Sequence, residues 1–322
     1  MCGPLKMEAE LDLRQLEYFM AAVEQRSLGR AADKLNISQP AISKAIRRLE
    51  QRLGVELLDR LPRGVSPTEY GKMLADHGHV IHRELARAQE GLSALKLGDA
   101  GRVSIGAGSS MRIRLVPEAI LGLLNEHPDI EVDLISQLHD RLIPALKEGR
   151  IDIAVCQISN ASLNPNLEVF PLYSDKICPT VRAGHPLLKK KHVTAVDCLD
   201  YGWILPAKEH FGRRLLEGCF LGLNLPEPNT VIENSSTLFA ISMVQRSDLI
   251  SWHPTQVYEN SGDGEVGALD IPEITITRTV GTSIRRGCVL SPATKLLIEN
   301  LIETSRNMVE EGIVSEIKAP TP

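Results

Sequence analysis

The chain has 322 residues, six cysteines and a formal net charge of −5 at pH 7. This length predicts two or three domains, and the acidic balance excludes a generally basic protein that coats nucleic acid. The cysteines form no CxxC pair and no metal-ligand spacing, so we expect reduced thiols and no metal. The sequence shows neither a secretory leader nor a long apolar run, which predicts a cytoplasmic protein without a membrane partner.

Two amphipathic patterns follow a predicted N-terminal tail over residues 1–10. Apolar residues at helical spacing predict the first helix, at Leu13, Leu16, Phe19, Met20 and Val23. A shorter stripe predicts the second helix, at Leu28, Ala31, Ala32 and Leu35, with Ser27 as its cap. Only Asn36 and Ile37 separate this second helix from Ser38, so we expect a tight turn between two helices.

The stretch from Ser38 to Leu53 predicts a third helix, because Ser38 is a good N-cap and Pro40 lies in the first turn. One side of this helix is apolar, at Ile42, Ala45, Ile46, Leu49 and Leu53. The opposite side is polar and basic, at Gln39, Ser43, Lys44 and Arg47. This arrangement is typical of a DNA-binding helix-turn-helix. The alternative is an ordinary helical hairpin with a solvated charged face.

A local excess of positive charge supports a nucleic-acid module at this end of the chain. From Arg30 to Arg63 there are eight Lys or Arg against four Asp or Glu. Residues 55–67 predict a small hairpin wing, on which Arg60 and Arg63 can reach phosphates or the minor groove. The alternative is a surface turn that happens to carry two arginines. We expect the winged helix-turn-helix domain to cover residues 11–67.

Residues 68–97 predict one long helix, which would span about 44 Å. Its apolar residues repeat at nearly 3.5 positions, at Tyr70, Met73, Leu74, Val80, Ile81, Leu85, Ala88, Leu92 and Leu95. A solitary helix cannot bury such a seam, so the pattern predicts a partner helix. His77, His79 and His82 do not converge on one face of this helix, which argues against a metal site.

Strand and helix patterns alternate beyond the helix-breaking residues 98–101, in a βαβαβ order over residues 103–156. This order predicts a parallel sheet covered by helices, and an α/β fold overall. We expect one subdomain at residues 101–170 and 272–322. A second subdomain is predicted at residues 171–271, with a strand near 177–181. Two chain crossings between the subdomains imply a hinge.

The loop after the first strand of this region is a candidate ligand loop. Open α/β sheets bind small molecules beyond the carboxyl ends of their strands, and Ser109, Ser110 and Met111 lie there ahead of a predicted helix. Hydroxyls and free N–H groups at a helix start favour an anion. The alternative is a serine pair that only caps the helix. A dinucleotide pattern begins at Gly106 and Gly108, but Met111 stands where the third glycine is required.

The N-terminal residues resemble the signature of the LysR-type bacterial transcription regulators. The matching residues are Ala31, Ala32, Leu35, Ser38, Gln39, Pro40, Ala41, Ser43, Ile46, Leu49, Glu50, Leu53, Gly54, Leu57, Leu58, Arg60, Thr68 and Gly71. The resemblance continues at 285–287 and 290–293, with the sequences RRG and LSPA. In the middle of the chain, HPLLKKK, LGLNLPEP and RSDLI resemble a subgroup that governs sugar, aromatic-acid and sulfonate metabolism.

The resemblance implies a regulator that dimerises through the long helix and assembles as a tetramer. Its partners would be an interrupted palindrome of double-stranded DNA, a small-molecule effector and RNA polymerase. The candidate DNA contacts are Arg30, Ser38, Gln39, Pro40, Ser43, Lys44, Arg47, Arg60 and Arg63. An effector would lie between two subdomains like those of periplasmic binding proteins. The candidate effector contacts are Ser109, Ser110, Met111, Gln157, Pro206, Ser235, Ser236 and Trp252. No cofactor is implied.

Two other classes of protein remain as alternatives. A thiol redox sensor would need two cooperating cysteines, for which Cys198 and Cys219 are the candidates. A hydrolase-like enzyme would need a nucleophile and base, but the sequence contains no GxSxG, HExxH or Walker motif. An acidic effector would be favoured by arginines near its site, and Arg112, Arg114 and Arg213 are candidates.

Overall fold

The computed structural model describes residues 11–61, 64–97, 101–136, 139–158, 164–259 and 265–317. The chain divides into two compact units. One consists of residues 1–89 with 148–150, and the other of residues 90–147 with 151–322.

The first unit contains the three predicted N-terminal helices, the wing and most of the long helix. Its elements are α1 (Leu13–Gln25), α2 (Leu28–Lys34), α3 (Gln39–Leu53), β1 (Leu58–Leu61), β2 (Gly64–Pro67) and α4 (Glu69–Leu97). Ser27 and Ser38 cap α2 and α3, because each side-chain oxygen accepts a hydrogen bond from a first-turn N–H. Gly54 ends α3 in the left-handed conformation, with φ of 70°. The predicted helix-turn-helix is therefore confirmed.

Amphipathic faces of α1, α2 and α3 form the core of this unit. Phe19, Ile42 and Leu49 are fully buried, and the small Ala31 and Ala32 let α2 approach its neighbours closely. A polar contact then fixes the wing to α3. Glu50 accepts hydrogen bonds from the backbone N–H groups of Leu57 at 2.9 Å and Leu58 at 3.2 Å.

The second unit follows the predicted alternation of strands and helices. Its first half contains β3 (Arg102–Ala107), α5 (Leu115–Glu126), β4 (Glu131–Ser136), α6 (His139–Lys147), β5 (Ile153–Gln157) and β6 (Leu167–Arg182). It continues with β7 (Trp203–Leu205), α7 (Phe211–Gly222), β8 (Thr230–Glu233), α8 (Thr237–Val244), β9 (Ile250–Pro254) and α9 (Gln256–Glu259). The last elements are β10 (Val266–Ala268), β11 (Ile276–Arg285) and α10 (Pro292–Glu310).

Nine strands form one mixed sheet within the described part of this unit. Eight of them lie in the order β4-β3-β5-β11-β6-β9-β7-β8, and β10 pairs with β6. Parallel pairs occupy the two ends, β3 with β4 and β5, and β7 with β8 and β9. The long antiparallel strands β6 and β11 join these ends. The predicted α/β class is confirmed, with two parallel halves connected through central strands.

Strand β6 is longer than the sequence indicated. The pattern predicted a strand near 177–181, whereas β6 extends over sixteen residues and contains Pro171. A proline normally argues against an interior strand because it lacks the N–H. Here Pro171 faces Gly281 next to an irregularity in the pairing of β6 with β11, at which Leu172 of β6 has no opposite residue, so the missing donor is tolerated. The predicted subdomain boundary at 170/171 falls inside this continuous strand, and the domain limits stay predictions.

Substitution of Glu50 by Ala should loosen the wing, because two buried N–H groups lose their acceptor. We expect faster hydrogen exchange at Leu57 and Leu58 and a destabilisation of about 1–3 kcal/mol. Exchange measured by mass spectrometry on the full chain checks this expectation. Glu56→Ala is the matched control, since Glu56 is exposed. Equal exchange in the two variants would contradict the role assigned to Glu50.

Candidate functional site

One face of α3 presents polar and basic groups to solvent. Gln39, Pro40, Lys44 and Arg47 are exposed, while Ile42, Ile46 and Leu49 on the opposite side are buried. Ser43 is half-buried between the two faces. The helical period places residues 39, 43 and 47 along one line of this surface. Residues of this type can meet base edges and phosphates in a major groove.

The positive charges near this face make no ion pair within the part of the chain that the structure describes. This group consists of Arg30, Lys44, Arg47 and Arg60, all exposed. Ser38 is occupied as the cap of α3, where its hydroxyl accepts from the N–H of Ala41. The predicted phosphate contact Arg63 lies outside the described residues. Unpaired surface cations are available to bind phosphates, because no internal carboxylate neutralises them.

The second candidate site is a cavity of about 130 Å³ in the second unit. It lies beyond the carboxyl ends of β3, β5 and β7, next to the start of α8. The lining includes all eight predicted effector contacts, Ser109, Ser110, Met111, Gln157, Pro206, Ser235, Ser236 and Trp252. The tertiary structure therefore brings together residues from positions 109 to 252.

A buried ion pair forms part of the cavity wall. Arg278 donates from Nε to Asp175 Oδ1 at 2.6 Å and from Nη2 to Asp175 Oδ2 at 2.8 Å. The same Nη2 donates to Ser110 Oγ at 2.8 Å, so the pair also holds the ligand loop. Burial acts to lower the pKa of Arg278, but the Asp175 carboxylate outweighs it and the pKa is raised. Arg278 is therefore a fixed cation at the cavity.

Arg278 is not among the site residues that the sequence patterns indicated. Its signal was weak, because a single arginine in segment 274–280, where it follows alternating apolar residues, is compatible with a solvated strand face. Only the fold reveals that its side chain is 9% exposed and its partner Asp175 is fully buried. A buried charge requires a partner, and here that partner is 103 positions away.

The three arginines named from sequence have different positions. Arg213 lines the cavity, but it is paired with Glu217 at 2.7 Å and donates to the Pro206 carbonyl at 3.0 Å. Arg114 pairs with Glu118 and is not part of the lining, and neither is Arg112. No Asp or Glu is among the described lining residues. The cavity thus offers positive charge without a competing carboxylate surface.

Ser251 and His253 form a hydrogen-bonded pair at the cavity. The distance between Ser251 Oγ and His253 Nε2 is 2.9 Å. Ser251 Oγ also donates to the carbonyl of Ile204 at 3.0 Å. Burial lowers the pKa of His253 to about 4, so the imidazole is neutral at pH 7. Ser251 Oγ contacts both the carbonyl and the imidazole, and the described lining offers no Asp or Glu that could orient His253 as a base.

The candidate redox cysteines Cys198 and Cys219 lie in surroundings that disfavour the thiolate. Burial raises the pKa of Cys198 to about 12 and also raises the pKa of Cys219. The thiol form therefore dominates at neutral pH, although redox chemistry requires the thiolate. Among the residues that the structure describes, no cluster of three or more His, Cys, Asp or Glu could hold a metal.

Within the described ranges, no helix combines the length and apolar character needed to cross a membrane.

Two family models match this chain. Residues 13–72 match the bacterial regulatory helix-turn-helix protein of the lysR family, and residues 96–306 match the LysR substrate binding domain. The chain is 35% identical over 246 residues to the HTH-type transcriptional regulator GbpR of Azospirillum brasilense. This alignment covers 76% of this chain and 72% of that protein. It is 32% identical to the SDS degradation transcriptional activation protein of Pseudomonas sp. (strain ATCC 19151), covering 89% and 94%.

Solved structures share this fold. Full-length LysG from Corynebacterium glutamicum with bound effector Arg aligns with a TM-score of 0.65 at 18% identity, covering 95% of this chain and 100% of that chain. Full-length CbnR complexed with its target DNA aligns with a TM-score of 0.63 at 20% identity, covering 91% and 100%. At these identities the likeness shows the fold alone.

Substitution of Arg278 by Met should destabilise the second unit by about 3–5 kcal/mol, because Asp175 is left buried without its cation. We expect the double variant Asp175→Asn/Arg278→Met to lose less than the sum of the single losses. Urea unfolding of the full chain measures both effects. Arg182→Met is the matched control, since its ion pair with Asp248 is solvent-exposed and should contribute about 1 kcal/mol or less. An equal loss of unfolding free energy in Arg278→Met and in Arg182→Met would contradict the prediction.

Proposed function

Because the chain belongs to the LysR family of transcriptional regulators, we propose that its dimers bind an interrupted palindromic promoter site and respond to an anionic effector. The general function, that of a transcriptional regulator, follows from the family, which combines a DNA-binding and an effector-binding domain. The proposal of a promoter site and an anionic effector rests mainly on the exposed polar face of α3, whose neighbouring cations have no ion-pair partner among the described residues. The relatives are named as transcriptional regulators or activators, which are not enzymes.

We assign different roles to the residues of the α3 face. Gln39 can make a bidentate contact with adenine, and Ser43 tolerates several bases. Lys44 and Arg47 hold phosphates, as do Arg60 and Arg63 on the wing. The remaining proposed contacts, Arg30, Ser38 and Pro40, lie at the start of α2 and α3 and approach the same DNA backbone. In CbnR, a solved neighbour, the full-length protein is complexed with its target DNA.

The long helix α4 supports dimerisation. Its apolar residues Tyr70, Met73 and Leu85 are 57%, 60% and 46% exposed in the single chain, and Ile81 lies on the same side. A second copy of α4 would cover this stripe, because identical apolar seams pair in a coiled coil. We propose a dimer through α4, two dimers in a tetramer, and contact with RNA polymerase at the promoter.

The cavity of the second unit supports control by a small anion. Arg278 and the N–H groups of the Ser109–Met111 loop offer donors, whereas no carboxylate lines the described wall. Strands β6 and β11 connect the two halves of the sheet around the cavity and can act as a hinge. Closure on the effector would change the spacing of dimers and hence the bending of DNA. Membership of the subgroup that governs sugar, aromatic-acid and sulfonate metabolism stays a prediction.

Gel-shift titration of the protein on the DNA upstream of its own gene tests this function. The wild-type protein should give a specific shift that resists competitor DNA and weakens as salt rises. Gln39→Ala should lose about 1–3 kcal/mol of discrimination between the site and a scrambled site. Arg47→Ala should weaken binding to both DNAs and reduce the salt slope by about one.

Arg48→Ala is the matched control for the DNA experiment. It removes the same charge about 100° further round the helix, so its effect should be smaller. If the wild-type protein shifts the promoter site and the scrambled site equally, the proposed function is overturned. Loss of sequence preference in Arg47→Ala, with none in Gln39→Ala, would overturn the assigned roles.

Substitution of Leu85 by Lys should dissociate the dimer, because it places a charge in the apolar seam of α4. We expect at least a tenfold rise in the dimer dissociation constant, a loss of about 1.4 kcal/mol or more. Sedimentation or light scattering of the full chain measures the change. Asp76→Lys is the control, since Asp76 is exposed on another side of the helix. An unchanged dimer in Leu85→Lys would exclude α4 as the interface.

A further inference from the structure

We propose that His253 presents Nδ1 to the cavity as a hydrogen-bond acceptor, so that the effector is a carboxylate that also carries a hydroxyl group. This inference rests on the proposed effector site and specifies its ligand. It follows from the direction of the hydrogen bonds around Ser251, from the charges on the lining and from the size of the cavity.

The tautomer of His253 is coupled to the direction of the Ser251 hydroxyl. The Ser251 hydroxyl has one hydrogen, and its oxygen lies 3.0 Å from the carbonyl oxygen of Ile204, which can only accept, and 2.9 Å from His253 Nε2. We assign the serine hydrogen to that carbonyl, and in this arrangement the serine oxygen accepts from the N–H of His253 Nε2. A neutral imidazole with a proton on Nε2 has a lone pair on Nδ1. Nδ1 can then accept a hydrogen bond but cannot donate one.

His253 faces the space that a ligand would fill. It is one of the cavity-lining residues and keeps part of its surface accessible. Its Nδ1 has no hydrogen-bond partner within the described part of the chain, whereas Nε2 is occupied by Ser251. A ligand that fills the cavity without a donor would leave this acceptor desolvated and unpaired, which is costly. A ligand hydroxyl can supply the missing hydrogen.

Arg278 provides the complementary donor at the same cavity. Its Nε and Nη2 are bound to Asp175 and Ser110. Its Nη1 has no partner in the described residues, so its two N–H groups can bind a carboxylate oxygen. The lining therefore contains a cationic donor on β11 and a neutral acceptor on β9, and the two strands are separated by β6.

A hydroxyl fits the acceptor better than an ammonium group does. An ammonium group loses much hydration when it is buried and needs a carboxylate in compensation. No Asp or Glu is among the described lining residues, and the buried carboxylate of Asp175 is already bound by Arg278 and Gln256. The cavity therefore favours hydroxy acids over amino acids of the same skeleton.

The volume and the apolar walls limit the carbon skeleton. A cavity near 150 Å³ can hold benzene, and this one has about 130 Å³. Leu205, Phe211 and Trp252 contribute apolar surface to the lining. The volume is slightly below that of the benzene-binding cavity, so we infer a hydroxycarboxylate with a short aliphatic skeleton or at most one ring.

Nitrogen NMR of the full-length protein, labelled with ¹⁵N-histidine, tests the acceptor directly. The His253 signals are assigned by their absence in His253→Phe. We expect the pattern of a neutral ring protonated on Nε2 at pH 7. A ring protonated on Nδ1, or a charged ring at pH 7, would overturn the proposal.

Calorimetric titration with matched ligands tests the selectivity. The probes are benzoate with its three monohydroxy derivatives, propionate with lactate, and succinate with malate. In the wild-type protein, at least one hydroxylated member should bind about tenfold or more tightly than its parent acid. In His253→Phe this preference should fall to about threefold or less, and His253→Asn should restore part of it through the amide oxygen.

The controls separate this inference from the proposed function. His192→Phe changes an exposed histidine outside the cavity and should keep the wild-type preference. Equal affinity for parent and hydroxylated acids, tighter binding of alanine than lactate, or no binding by any probe would each overturn the inference. A specific DNA shift in the same preparations would show that the regulator function stands independently of that result.

Discussion

The buried ion pair between Asp175 and Arg278 is the constraint on which the effector-binding half depends. It joins β6 to β11, the two strands that connect the parallel halves of the sheet. Through Ser110 it also fixes the loop that forms one wall of the cavity. Buried ion pairs recover their desolvation cost only with good geometry and further hydrogen bonds. The two-point contact and the donation from Gln256 to Asp175 supply them.

The same pair gives the cavity its chemical character. Asp175 holds Arg278 as a cation in a place where an isolated charge would be expelled, and no carboxylate of the described lining competes for a bound anion. Ser251 contacts the other polar group, because its Oγ lies 2.9 Å from His253 Nε2. Arg278 and His253 are thus each held by a neighbouring side chain that does not need to contact the effector. Outer partners orient the metal-binding side chains of metal sites in the same way.

The DNA-binding unit depends on a simpler principle, which is the division of each short helix into two faces. Burial of Phe19, Ile42 and Leu49 orients α3 so that its polar side remains in solvent. Glu50 then connects the wing to this helix through two backbone N–H groups. The recognition surface is a consequence of core packing, because the residues that form the core determine which residues stay outside.

The amino-acid sequence by itself determined the helices, their caps and the alternation of strands and helices, because these depend on residues a few positions apart. It also indicated the polar face of α3 and the loop at Ser109–Met111 by the same local patterns. The full length of β6 was decided by the tertiary structure, since an irregularity of its pairing with β11 at Leu172 accommodates Pro171. So was the burial of Arg278, because its partner Asp175 lies on another strand. Charge pairing and hydrogen-bond direction depend on which distant atoms the fold brings into contact, and no local pattern contains that information.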